Sequence, residues 1–446
     1  MKKEYIFKQF LHYAALNVAG MLGLSCYILA DTFFVSKGMG TNGLAALNLA
    51  IPVYSFIHGT GLMLGMGGAT KFTILKAQGK NRHSNEIFTA TVLTATVFSA
   101  FFALMGLLFS KTITSLLGAD SEIFDMTNTY LRVILLFSPA FIANDVIICF
   151  VRNDGAPNLS MAAMLIGSLS NIIFDYIFIF PLGLGILGAV LATGFAPVVG
   201  MTIMSSHFFR HKNSFKITRT RVTPRLCGSL ISLGLPSLVT ELSSGVVIII
   251  FNTLILSLSG NVGVAAYGII ANISLVVISI YTGISQGTQP IISVAVGEGN
   301  LAKLKKLVRY GVLSTVLLSA VIYALIFFFT APIVSVFNSD CDVHLQAMAE
   351  SGMKIYFTGA LFAGINIIIS TYFSSIAKPV PAQIISICRG FAVIIPLTFV
   401  LAKTLGLVGI WLTFPTAELI VTVISAVFYF RNRHTHRQDD QQKSSL

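Results

Sequence analysis

The constraint that dominates this sequence is a run of apolar stretches, each of twenty or more residues, that recurs along nearly its whole length. About 20 apolar residues cross a bilayer as a helix. The stretches have that length, so the fold class is an all-α integral membrane protein. With only 10% charged residues against 55% hydrophobic ones, the 446-residue chain could not cover a soluble surface. Twelve transmembrane helices are predicted, roughly at 11–36, 44–70, 87–109, 129–151, 160–180, 186–209, 227–258, 263–295, 308–330, 350–374, 382–402 and 406–430. The first is too long for a cleaved leader and no small-residue cleavage site follows it, so it reads as a retained helix.

The formal charge of +12 raises nucleic acid as a partner, and the placement of the charge excludes it. With the N-terminus in the cytoplasm, 23 of the 29 Lys and Arg fall in segments on one side: 2–8, 71–82, Arg152, 210–225, 303–309, Lys378 and 431–443. This is the positive-inside asymmetry of a multi-pass protein with both termini cytoplasmic. Cys26, Cys149, Cys227, Cys341 and Cys388 show neither metal spacing nor a disulfide framework.

The two halves repeat. Residues 43–80 and 263–300 align without a gap at a shift of 220, pairing Gly43, Ala45, Ala46, Gly67 and Gly79 with Gly263, Ala265, Ala266, Gly287 and Gly299. Asp120 pairs with Asp340 at the same shift. Arg132, Asn144 and Pro157 pair with Lys354, Asn366 and Pro379 at 222, and Gly185 and Gly188 with Gly406 and Gly409 at 221. Six helices per half make the repeats parallel, an architecture of secondary transporters. The implied organisation is an N-terminal lobe over 1–209, a basic linker over 210–226, a C-terminal lobe over 227–430 and a solvated, unstructured tail over 431–446.

Five carboxylates, Asp31, Asp145, Asp175, Glu241 and Glu418, fall inside apolar segments, where each costs about 2.5–3.5 kcal/mol on insertion scales and marks a functional candidate. Asp31, Asp175 and Thr193 share the outer half of the N-terminal lobe, and Asn171 lies four residues from Asp175 on one helix face. Two carboxylates, an amide oxygen and a hydroxyl at one depth can ligate a small hard cation or hold a proton. The bland alternative is that these acids brace neighbouring helices. Asp145 has Arg152 and Arg132 near it in sequence. Glu241 follows Gly234-Leu235-Pro236, where a kink is expected, and is a candidate for substrate or ion binding, as is Glu418. His58 reads as a hydrogen-bonded core histidine or a proton relay, and Arg389 as a counter-ion to a C-terminal acid. Gly61, Gly65, Gly67 and Gly68 read as close helix packing. Gly283 through Pro290 is expected to break or bend its helix.

Leu29 through Ser36, Gly167 through Ile179, Leu187 through Thr193 and Gly234 through Ser237 resemble signatures of the multidrug and toxic compound extrusion (MATE) transporters, and the resemblance extends over roughly 8–430. It implies two six-helix lobes around a central cleft, no enzymatic activity and no cofactor. The implied function is secondary antiport, exporting organic cations or amphipathic drugs in exchange for Na⁺ or H⁺. The coupling ion falls at Asp31, Asn171, Asp175 and Thr193, with Ala189 in the same set. The sequence departs from the family at Leu16, where many members carry proline, and at Ile148, where some carry asparagine. The expected partners are the small-molecule substrate and membrane lipid, with a monomer in the inner membrane. The rival readings are a flippase for lipid-linked precursors, which would want a groove rich in Arg and Lys, and a membrane-embedded enzyme, which would want a clustered nucleophile and base. In the sequence only Arg389 is clearly an intramembrane cation, and the eight His are scattered.

Overall fold

A computed structural model describes residues 3–338 and 342–444, with side chains omitted at Lys3 and from 433 onward. Asp340, the expected partner of Asp120 in the repeat, and Cys341 lie outside the described residues. Helices account for the regular structure, with no strand among the described residues.

Eight helices are long and apolar enough to cross a membrane, and the pair Phe124–Leu136 and Ser138–Asn153, bent by 48°, supplies a ninth. Three of the nine are far too long for one crossing. Lys3–Ala77 has 75 residues, Pro224–Gly297 has 74 and Ile394–Ser444, which continues from Pro379, has 51. At 1.5 Å per residue the first would exceed 100 Å, against about 30 Å of hydrocarbon. Each is divided at one glycine: Gly40 (φ 64°, ψ −152°), Gly260 (φ 63°, ψ −159°) and Gly406 (φ 59°, ψ −136°). That region of backbone space is essentially closed to residues with a Cβ. At all three positions an added Cβ would meet nothing within 4 Å, so glycine is required by conformation rather than by room. The chain therefore makes twelve spans: 3–39, 41–77, Asn81–Leu108, Phe124–Asn153, Pro157–Ile179, Gly185–Phe209, 224–259, 261–297, Leu301–Phe337, Val343–Ser375, 379–405 and 407–444.

Left-handed backbone repeats with the sequence. Gly40 and Gly260 are 220 apart, as are Gly79 (φ 77°) and Gly299 (φ 66°), while Gly185 (φ 55°) and Gly406 are 221 apart. Gly155 (φ 90°) finds its partner 222 residues on in Ala377 (φ 57°), one of the non-glycine residues that hold this conformation.

Three expectations change. The fourth span is not one helix over 129–151 but two that meet at Phe137; Pro139, in the first turn of the second helix, has no N–H to carry the first helix through. Gly283 through Pro290 does not break its helix. Gly283 and Gly287 instead bring it against the first span, where a Cβ would stand 2.6 Å from the Val18 Cα and 2.5 Å from the Tyr13 carbonyl oxygen. Gln289 also ties it down, donating to Thr70 at 2.9 Å and accepting from Asn153 at 2.9 Å. The segment after Phe209, within the expected linker, is also held by specific bonds: the Ser214 N–H donates to Asp154 Oδ2 at 2.8 Å, Lys216 N–H to Asn85 at 3.0 Å and Thr218 N–H to Thr89 at 2.9 Å. Phe215 is wholly buried among Phe72, Phe88 and Phe150. Finally, the last helix runs on to Ser444 rather than ending at 430, over a stretch free of Gly and Pro.

The residues pack as two compact units, each with its own core. Unit 1 comprises 1–245, 282–307 and 375–377; unit 2 comprises 246–281, 308–374 and 378–446. The start of the seventh span joins unit 1 because glycines remove the obstacle on both sides: a Cβ on Gly234 would fall 1.8 Å from the Met63 carbonyl oxygen, and one on Gly67 would fall 2.0 Å from that of Leu230. Unit 2 is centred on Trp411, Tyr267, Phe251 and the stacked rings of Tyr356 and Phe414, 4.4 Å apart.

Candidate functional site

Unit 1 brings Asp31 and Asp175 together. Asp31 comes from the first span, Asn171 and Asp175 from the fifth, and Thr193 and Ala189 from the sixth, all buried. Asp31 and Asp175 lie within electrostatic reach of each other. The i, i+4 spacing sets Asn171 beside Asp175: with its amide turned to suit both neighbours, Nδ2 donates to Asp175 Oδ2 at 3.1 Å and Oδ1 accepts from the Thr193 N–H at 3.2 Å. The Thr193 hydroxyl donates to the Ala189 carbonyl at 3.1 Å. Sequence reasoning missed Tyr130, a buried residue of the fourth span whose hydroxyl bonds the Thr193 side chain; a tyrosine in an apolar run carries no signal of its own.

One oxygen of each acid, Asp31 Oδ1 and Asp175 Oδ1, is buried without a hydrogen-bond partner. Orphaned buried oxygens are costly and call for an occupant. A proton or a small hard cation fits this donor set of two carboxylates, an amide and a hydroxyl. Among the described residues no group of three or more His, Cys, Asp or Glu gathers as a transition-metal site.

Thr193 also lines a cavity of about 80 Å³ in unit 1, room for several waters. Its walls include Tyr27, Tyr54, His58, Asn144, Asp145 and Arg152. His58 Nδ1 is 2.9 Å from Asp145 Oδ2, so the partner of Asp145 is an imidazole 87 residues away rather than either arginine near it in sequence. Gly61 and Gly65 give the fourth span its close seat: a Cβ at Gly61 would fall 2.5 Å from Asp145 Oδ2, and one at Gly65 would fall 2.9 Å from Cys149 Sγ. Tyr54 stacks on His58 at 5.8 Å and shares a 2.8 Å hydrogen bond with Tyr27. Glu241, on the seventh span, packs against Gly59 and lies within electrostatic reach of His58 and Asp145. Arg152, counted from the sequence as a loop cation, is 1% exposed. It donates to Gln286 Oε1 at 2.9 Å, and its Nε has no partner.

Unit 2 joins Arg389 to Glu418, Nε to Oε1 at 2.5 Å. Asn366 donates to Glu418 Oε2 at 2.7 Å and accepts from the Thr422 and Ser425 hydroxyls, each at 3.1 Å. Arg389 sits in a π-helical turn, Cys388–Ala392, whose extra residue re-aims the side chains around it.

Twelve spans in two repeats, with Asp31 and Asp175 buried together inside one unit, have the layout of a polytopic membrane transporter. The sequence model of the MatE family matches residues 18–177 and 236–400, and the chain belongs to that family. It is similar over 438 residues to the multidrug export proteins MepA of Staphylococcus saprophyticus and Staphylococcus haemolyticus, 26% identical to each, with 97% of this chain and 96% of theirs covered. Among solved structures it resembles an outward-facing multidrug resistance MATE family transporter of the MOP superfamily (TM-score 0.90, 22% identity, 97% and 96% of the two chains). It also resembles a MOP superfamily transporter from Pyrococcus furiosus (TM-score 0.87, 22% identity, 94% of each chain). These two share its fold.

Proposed function

We propose that this MATE transporter is a secondary antiporter that exports organic cations or amphipathic drugs in exchange for Na⁺ or H⁺, with both termini in the cytoplasm. The coupling ion is held at Asp31 and Asp175, with Asn171, Thr193 and the Ala189 carbonyl around it. The observation that carries this reading is the pair of buried carboxylate oxygens without partners. An ion entering there removes a desolvation cost that cargo binding must otherwise tolerate, so ion and cargo affinities are linked, and reciprocally. The likeness to MepA supports drugs as cargo. In unit 2, Arg389 is committed to Glu418, which leaves that guanidinium unavailable to the pyrophosphate of a lipid-linked flippase substrate.

The test is uptake of ethidium into inverted vesicles under an imposed Na⁺ or H⁺ gradient. Asp31→Asn and Asp175→Asn should each abolish gradient-driven uptake while the protein still folds and inserts. Uptake that survives both substitutions would overturn the assignment.

A further inference from the structure

The segment that joins the sixth and seventh spans, non-helical over 210–223, climbs the side of the third span. Phe215 anchors it among Phe72, Phe88 and Phe150. The Lys216 N–H then reaches Asn85 and the Thr218 N–H reaches Thr89, one turn further along the same face of that helix. The helix starts at Asn81, so at 1.5 Å per residue the two bonds lie about 6 and 12 Å along it. Its first residues, Asn81-Arg82-His83-Ser84-Asn85-Glu86, are polar, and the apolar run begins at Ile87. The second bond is therefore level with the start of the apolar run, which is the depth of the lipid headgroup layer. There Ile217 is 75% exposed, and Phe209, the last residue of the sixth span, is 79% exposed. Arg210, Lys212, Lys216, Arg219 and Arg221 are exposed as well. Among the described residues none of these five cations forms an ion pair. No acidic residue lies between Phe209 and Glu241 in the sequence. Asp154, which the segment does touch, is already taken by Lys76, His207 and the Ser214 N–H. Exposed apolar side chains interleaved with cations at headgroup depth have the composition of a membrane-surface segment.

We propose that residues 209–221 form a docking strap for anionic phospholipid, in which the cations meet headgroup phosphates while Ile217 and Phe209 sit among the upper acyl chains. Charge complementarity selects the occupant. Five cations without counter-ions call for anions, and at the level of Thr89 the anions at hand are headgroups. An acidic protein or a nucleic acid would answer the cations but leave Ile217 and Phe209 uncovered. Zwitterionic lipid supplies acyl chains without net charge, so it is held less tightly. The strap is bonded to the third span at Asn85 and Thr89 and to the end of the fourth at Asp154, so a lipid that holds it also stabilises that corner of unit 1. The proposal rests on reading the chain as membrane-spanning and on neither the cargo nor the coupling ion.

The experiment places a fluorophore on the strap with Ile217→Trp in the full-length protein, reconstituted into phosphatidylcholine vesicles. The one natural tryptophan, Trp411, is buried in unit 2, and its emission is subtracted using the unsubstituted protein. Brominated acyl chains quench a tryptophan that they touch. Dibrominated phosphatidylglycerol should quench the new tryptophan at mole fractions about fivefold lower than dibrominated phosphatidylcholine. Adding Lys216→Gln, Arg219→Gln and Arg221→Gln should bring the two lipids level while both still quench. Both leaflets carry the same lipid, so the direction of insertion does not affect the reading. Phe209→Trp carries the fluorophore where thermal melting shows that Ile217→Trp does not fold. Equal quenching by the two lipids before the triple substitution, a preference that survives it, or no quenching by either lipid would each overturn the proposal. So would a preference that inorganic phosphate erases at matched ionic strength, since the site would then take free phosphate. None of those outcomes touches the coupling-ion assignment, which fails only if gradient-driven transport survives the loss of Asp31 and Asp175.

Discussion

Two buried acid–base pairs, one in each unit, show how far the repeats have diverged. In unit 1 His58 meets Asp145 beside a cavity; in unit 2 Arg389 meets Glu418 inside a closed network with Asn366, Thr422 and Ser425. The repeat registers the second pair onto the first unit: at its shifts, Arg389, Glu418 and Asn366 correspond to Gly167, Pro197 and Asn144. All three of those unit 1 residues line the cavity. Where unit 2 places a guanidinium and a carboxylate, unit 1 has a glycine and a proline and leaves space. The bases differ as well. An arginine keeps its charge at any working pH, whereas a histidine can lose its proton. The same backbone layout thus carries a closed ion-pair network in one unit and a His–Asp pair beside a cavity in the other.

The largest expected effect breaks the brace. Arg389→Ala leaves the Glu418 carboxylate buried without its counter-ion and should destabilise the protein by about 3–5 kcal/mol, read as a lowered thermal midpoint in detergent. Replacing the pair together with Arg389→Met and Glu418→Leu should recover most of that loss. Recovery is expected because desolvating a buried ion pair offsets much of its attraction; a single substitution that costs nothing would show that Glu418 is not held by Arg389. Next come the glycine breaks. Gly40→Ala and Gly260→Ala should each cost about 1–3 kcal/mol, and by similar amounts, since both hold the same backbone conformation in open space. Unequal melting shifts would mean that the two breaks are not structural equivalents. The smallest contrast is between the paired asparagines. Asn366→Ala strands the Ser425 hydroxyl and one Glu418 oxygen, while Thr422 keeps its bond to the Glu418 carbonyl, for about 1–3 kcal/mol. Asn144→Ala removes an oxygen with no partner and should cost clearly less stability. Equal losses from the two would undo the contrast between brace and cavity.

Local pattern carried some of this site. Asn171 and Asp175 share a helix face through i, i+4 spacing, so part of this cluster is legible from one dimension. Tyr130 was not legible, because a tyrosine in an apolar run looks like packing until the hydroxyl of Thr193 is seen next to it. Arg152 misled for the converse reason: beside the loop that follows the fourth span it reads as a solvated cation, yet Gln286, 134 residues away, gives it a buried partner. The glycine at 40 went unremarked although its partner at 260 obeys the repeat, since the need for it lies in a backbone angle and not in a side-chain pattern.

By itself, the sequence determined that the chain is helical and membrane-embedded and that it crosses twelve times in two repeats. Those properties follow from hydrophobicity, helix rise and periodicity, which act between residues close along the chain. The tertiary structure alone decided that Asp145 pairs with His58, that Glu418 holds Arg389, that the segment after Phe209 is strapped down and that unit 1 keeps a cavity where unit 2 has an ion pair. Those outcomes depend on contacts between residues far apart in sequence, where glycine-lined close approach and the balance of buried charge choose the partner, and no local pattern records that choice.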